Sequence, residues 1–97
     1  MSHYRDVVIE TYQNNHEASS KRIRARPLRG QGLDPSMNVE CSSKMRKNHP
    51  VGTKFILQAK VTDREGGSPF LYAHFNSSYR VVSDQEAKDF IDKMYNK

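Results

Sequence analysis

The sequence predicts an α+β domain, a small antiparallel sheet of about four or five strands, strongly bent or barrel-like, with a helix at each end of the chain. Three observations predict it. Apolar and polar residues alternate from Phe55 to Val61 and again, more briefly, from Phe70 to Phe75, with polar turns between the runs. A serine-led capping sequence followed by one apolar stripe occupies residues 83–94. Near the start, Tyr4, Val7, Val8, Thr11 and Tyr12 recur at helical spacing.

Taken in order, the N-terminal stretch has Ser2 placed as an N-cap, and Asp6 and Glu10 suit the positive pole of a helix macrodipole. The spacing therefore predicts a helix, although the β-branched run Val7-Val8-Ile9 also suits a strand. The polar tract from Gln13 to Ser20 has nothing to bury and reads as a loop. From Arg22 to Leu28, Ile23 and Ala25 alternate with Arg22, Arg24 and Arg26, so an extended chain puts the three arginines on one face. Pro27 cannot donate a ladder hydrogen bond, which makes this an edge strand or an ordered extended arm. Residues 29–35 are turn-rich, with Gly30 and Gly32 able to take positive φ. Met37, Val39 and Cys41 alternate with Asn38, Glu40 and Ser42, predicting a short strand with its apolar and sulfur-bearing side chains inward. Ser42 or Ser43 then caps a short helix through Met45 to Asn48, stopped by Pro50. So short a helix needs Met45 docked on the sheet.

In the central unit, from Val51 to Val82, the set Phe55, Leu57, Ala59 and Val61 is the core face of the first strand. Residues 63–68 form a hairpin loop in which Gly66-Gly67 supplies the unusual backbone angles. In the second strand Leu71, Ala73 and Phe75 point to the core, and Phe70, Tyr72 and His74 to the other side. Asn76-Ser77-Ser78 turns the chain into a third run, Tyr79 to Val82. Ser83 and Glu86 form a capping box, after which Ala87, Phe90, Ile91 and Met94 fall at i, i+3, i+4 and i+7. The whole reads as a single domain, 1–97: helix and loop over 1–20, basic arm, short strand and short helix over 21–50, antiparallel strands over 51–83, and a helix over 84–97.

Charge and composition bound the function. The net charge is +5, and Lys21, Arg22, Arg24, Arg26, Arg29, Lys44, Arg46 and Lys47 face only Asp34 and Glu40 within the middle segment. That segment carries the entire positive excess, which favours an acidic partner. Cys41 is the one cysteine, so an internal disulfide is excluded and a reducing compartment, hence a cytoplasmic protein, is expected. The first residues lack the basic opening and apolar region of a signal peptide, and no apolar run reaches the roughly 20 residues needed to span a bilayer.

Two surfaces are candidate sites. Arg22, Arg24, Arg26 and Arg29, with Lys44, Arg46 and Lys47, could neutralise successive phosphates of nucleic acid or another polyanion. The plainer role for the same residues is a solvated edge strand whose charges deter aggregation. Phe70, Tyr72 and His74 form an aromatic row that a helix, a small ligand or a second copy of the chain would cover. Enzyme chemistry is not expected. Cys41 with His49 or His74 as base lacks any spacing that guarantees reach, and a lone inward cysteine is usually a small core residue. His3, His16, His49 and His74 are scattered, which predicts neither a metal site nor a cofactor. The expected function is therefore a small non-enzymatic module binding nucleic acid or another polyanion, and the alternative is a homodimeric or small-ligand module built on the aromatic row.

The stretch HPVGTKFILQAKVTDREGGSPFLYAHF, with its VGT strand opening and its TDREGG hairpin followed by PFLY, resembles short uncharacterised bacterial proteins of mobile elements and integron gene cassettes. The resemblance implies a compact bacterial domain and transfers no site residue.

Overall fold

The computed structural model describes residues 4–13, 23–63, 67–74 and 76–95. In chain order the elements are β1 (Arg5–Gln13), β2 (Ile23–Pro27), β3 (Val39–Glu40), α1 (Ser43–Lys47), β4 (Lys54–Thr62), β5 (Phe70–Tyr72), β6 (Tyr79–Val82) and α2 (Asp84–Tyr95). The predicted mixed fold and bent sheet are present, with one correction at the start of the chain. Residues 5–13 are a strand, not a helix. Val7 and Ile9 bury on one face and Val8 on the other, all three with no exposure. A strand covered on both sides loses its alternation, and its continuous apolar run can then be mistaken for a helical face. The proposed cap, Ser2, lies outside the described residues.

The sheet has the order β2-β1-β4-β5-β3, with β6 also on β4. Long antiparallel ladders join β1 to β2 and to β4. The chain returns along the far edge of β4 in two pieces: β5 pairs residues 60–62 and β6 pairs residues 54–57. The third run therefore continues the second along β4 instead of adding a strand beyond it. β3 pairs parallel with β5, the one departure from an antiparallel sheet among the described strands.

Ala25 of β2 and Val39 of β3 stand at opposite ends of the strand order yet bury in one cluster, with Val7, Ile9, Phe55, Leu57, Ala59 and Leu71. The sheet thus curls into a nearly closed barrel around them. Met45 closes one side, held by α1, whose N-cap Ser42 Oγ accepts from Met45 N at 3.4 Å. Val61 does not join this core: it is 39% exposed, two residues past Ala59, where the ladder with β1 ends. Phe75 lies outside the described residues.

A second, smaller cluster sits outside the barrel, where Ala87 and Ile91 of α2 cover Val8, Ile56 and Val82. Burying a side chain the size of Ile91 contributes roughly 1.5 to 3 kcal/mol. The capping box is formed: Ser83 Oγ accepts from Glu86 N at 3.1 Å and Glu86 Oε1 accepts from Ser83 N at 3.0 Å. The Ser83 backbone N–H first, and its hydroxyl second, hold the Glu86 carboxyl below its ordinary range. The apolar stripe is shorter than its spacing suggests, since Met94 is exposed.

Between β2 and β3 the chain is pinned by a buried side chain. Gln31 Oε1 accepts from Val8 N at 2.7 Å, and its Nε2 donates to Val8 O at 2.8 Å and to Leu28 O at 3.0 Å. The amide therefore serves β1 as a one-residue strand partner where β2 has ended.

Candidate functional site

β2 is an edge strand, as Pro27 requires. Its alternation places Ala25 inward and Arg24 and Arg26 on the outer face, opposite Tyr12 and Glu10 of β1. Arg22 lies outside the described residues. Arg26 is engaged: its Nε donates to Glu10 Oε1 at 2.9 Å, and its guanidinium lies 4.8 Å from the Tyr12 ring centroid. Arg24 is half-buried, whereas Arg29 is exposed in the turn beyond the strand.

The ion pairs continue across the sheet. Lys54 Nζ lies 3.3 Å from Glu10 Oε2 and 2.8 Å from Asp84 Oδ1. Its ammonium is held above the usual lysine range by the hydrogen bond to Asp84 first, with Glu10 adding to it. This chain of charges ties β2, β1, β4 and the start of α2 together.

The second basic group is on α1, which packs against β2. Lys44 and Lys47 are exposed and Arg46 is half-buried, around the buried anchor Met45. Met45 and Ala25 share the barrel cluster, so the α1 cations and the β2 arginines flank one edge strand from its two sides. The structure thus brings both ends of the basic segment to that edge without merging them on a single face.

On the aromatic row, Phe70 and Tyr72 are half-buried and His74 is exposed. Tyr72 stands between Lys60 of β4 and Glu40 of β3. Of the described helices, α2 lies over Val8, Ile56 and Val82 and α1 packs against β2. His74 Nδ1 accepts from Asn76 N at 3.1 Å, which is a turn contact.

His49 has a role that spacing did not reveal. Its ring packs edge-on to Phe55 and Tyr79 at 5.2 and 5.8 Å, and its Nε2 lies 3.3 Å from Tyr79 Oη. Cys41 is half-buried against the barrel core, and burial pushes its thiol above the usual range, with Arg46 opposing. A thiol so placed is mostly protonated at neutral pH and is a poor nucleophile. Among the described residues no three His, Cys, Asp or Glu side chains group as around a metal ion, and no described helix is long and apolar enough to cross a membrane.

One further feature has walls far apart in sequence. A cleft of about 620 Å³ opens between α2 and the segment after β2, bordered by Arg26, Leu28, Arg29, Gly30, Lys88 and Ile91. Gly30 has φ +92, and a Cβ there would stand 3.1 Å from Ile91 Cγ2, so glycine alone allows this approach of loop to helix. Compared with protein-family models, curated proteins and solved structures, the chain matches none. The functional reading therefore rests on the residues themselves.

Proposed function

We propose that the chain is a small non-enzymatic binding module for nucleic acid or another polyanion, engaged along the β2 edge. The carrying observation is that α1 packs on β2, which returns Lys44, Arg46 and Lys47 to the strand that bears Arg24 and Arg26. Arg29, Lys44 and Lys47 are exposed and supply the adaptable charge. Arg26, held by Glu10 and stacked near Tyr12, acts as a fixed point on the same edge.

The test is binding of labelled single-stranded and duplex DNA oligonucleotides over a salt series. Affinity is expected at low salt and to fall with a slope of about 0.9 per phosphate neutralised on duplex DNA. The combined change Arg29→Ala, Lys44→Ala and Lys47→Ala should reduce that slope by roughly two to three. No binding at low salt, or an unchanged slope in the triple variant, would end this reading.

A second reading, association of two copies, is favoured by the half-buried aromatic row and by apolar exposure on the opposite face, at Val61 and along β6. Val61, Tyr79 and Val81 are 39%, 40% and 47% exposed, and among the described strands β6 pairs with β4 alone. It predicts a dimer in sedimentation that Tyr72→Ala weakens, whereas a clean monomer over the accessible concentration range rejects it.

A further inference from the structure

We propose that the cleft between α2 and the segment after β2 binds a small organic monoanion with an apolar body, an aliphatic or aryl carboxylate. The site adjoins the polyanion edge and shares Arg26 and Arg29 with it, whereas Lys88 and Ile91 belong to the cleft alone and Lys44 and Lys47 sit on α1.

The charges around the cleft define the ligand's charge. Glu10 is taken up by Arg26 and Lys54, and Asp84 by Lys54. Asp92 lies one helical turn beyond Lys88. Neither Arg29 nor Lys88 has a carboxylate partner among the described residues. The charges lining the cleft balance, Arg26, Arg29 and Lys88 against Glu10, Asp84 and Asp92, and Lys54, outside the lining but paired with Glu10 and Asp84, brings the group to one positive charge in excess. A monoanion balances it, and a polyphosphate would meet three carboxylates at short range.

The walls define the ligand's body. Leu28, Ile91, Pro27 and Pro35 supply the cleft's apolar lining. The volume lies within the roughly 300 to 1,000 Å³ of small-molecule sites. The walls are also fixed in advance: Gln31 ties the loop to Val8 and Leu28, and Gly30 seats it against Ile91. Rigid walls lower the ordering cost of binding.

The experiment is a ¹H–¹⁵N NMR titration of the full chain with 3-phenylpropionate. Saturable shifts are expected at Leu28, Gly30, Lys88 and Ile91, with a Kd near about 1 mM for so small a probe. The neutral amide of the same acid, which keeps the body, and propionate, which keeps the charge, should each bind about fivefold or more weakly. Arg29→Gln and Lys88→Gln, both at exposed positions, should each weaken binding about threefold, and Lys44→Gln should not. Absence of saturation to about 10 mM overturns the proposal, as do shifts centred outside the cleft, equal binding of the neutral amide, or full affinity in the double glutamine variant. Because Lys44→Gln affects only the polyanion edge and Lys88→Gln only the cleft, failure of one reading leaves the other measurable.

Discussion

Gln31→Leu is expected to lower the unfolding free energy by about 3 kcal/mol in a urea titration, with the slope unchanged. The substitution keeps much of the volume and removes every polar atom of a side chain that is wholly buried. Val8 O keeps its bond from Leu28 N at 3.1 Å, but Val8 N loses the acceptor at 2.7 Å and Leu28 O loses its donor at 3.0 Å. A stranded buried N–H alone costs about 1 to 3 kcal/mol. A loss below about 1 kcal/mol would show that the segment rearranges and that the amide does not pin it.

Gln31→Glu adds a pH signature to the same prediction. The ionised carboxylate could accept from Val8 N but would face the oxygens of Val8 and Leu28, to which the amide now donates. Protonation restores one donor, so the folded state favours the neutral acid and raises its pKa above the ordinary value of about 4.3. The folded form then binds the proton more tightly than the unfolded form. The variant's deficit should be smallest below about pH 4 and grow as pH rises through the elevated folded value. A deficit that does not change between acid and neutral pH, relative to the parent chain, contradicts the assigned bonding.

Phe55→Ala is expected to cost about 3 to 5 kcal/mol, the range for deleting a fully buried aromatic ring. Phe55 has no exposure and stands opposite Ile9 in the β1–β4 ladder. It is also the partner that His49 and Tyr79 share, with the Tyr79 ring at 5.4 Å and 79°. The substitution should therefore abolish near-ultraviolet circular dichroism from Tyr79 as well as stability, and Phe55→Leu should recover most of the stability without the aromatic signal. If alanine were tolerated within about 1 kcal/mol, the barrel interior would have to collapse far more freely than its close packing permits. Against a total stability of about 5 to 15 kcal/mol, either substitution removes a large share.

The parts legible in the sequence are those whose signals are local. Ser83 and Glu86 are three residues apart and cap one another, so α2 could be read directly. β4 showed itself because Phe55, Leu57 and Ala59 bury inward while Gln58 and Lys60 do not. The turn prediction over 29–35 also holds, with Gly30 and Gly32 both at positive φ. β1 was obscured because α2 covers Val8 while the barrel takes Val7 and Ile9, a consequence of tertiary packing that no local period encodes. The burial of Gln31 had no signal at all, since a glutamine between two glycines in a turn is ordinarily solvated. The same holds for the cleft, whose walls come from Glu10 and from residues 26–35 and 84–92 and meet only after folding. Of the basic residues, spacing placed Arg24 and Arg26 correctly on one face, but Glu10 as the partner of Arg26 follows from the β1–β2 register alone.

The two-sided burial of β1 also has a consequence for biosynthesis. β1 and β2 leave the ribosome before β4, β6 and α2 exist, so Val8 waits in water for Ile56, Val82, Ala87 and Ile91. During that interval a β-branched run lies open on a growing chain, the condition under which nascent proteins stick to one another or are held by chaperones. Release from that hazard comes with α2, the last element synthesised among those described, and a chain cut short before Asp84 would carry the bare run into quality control.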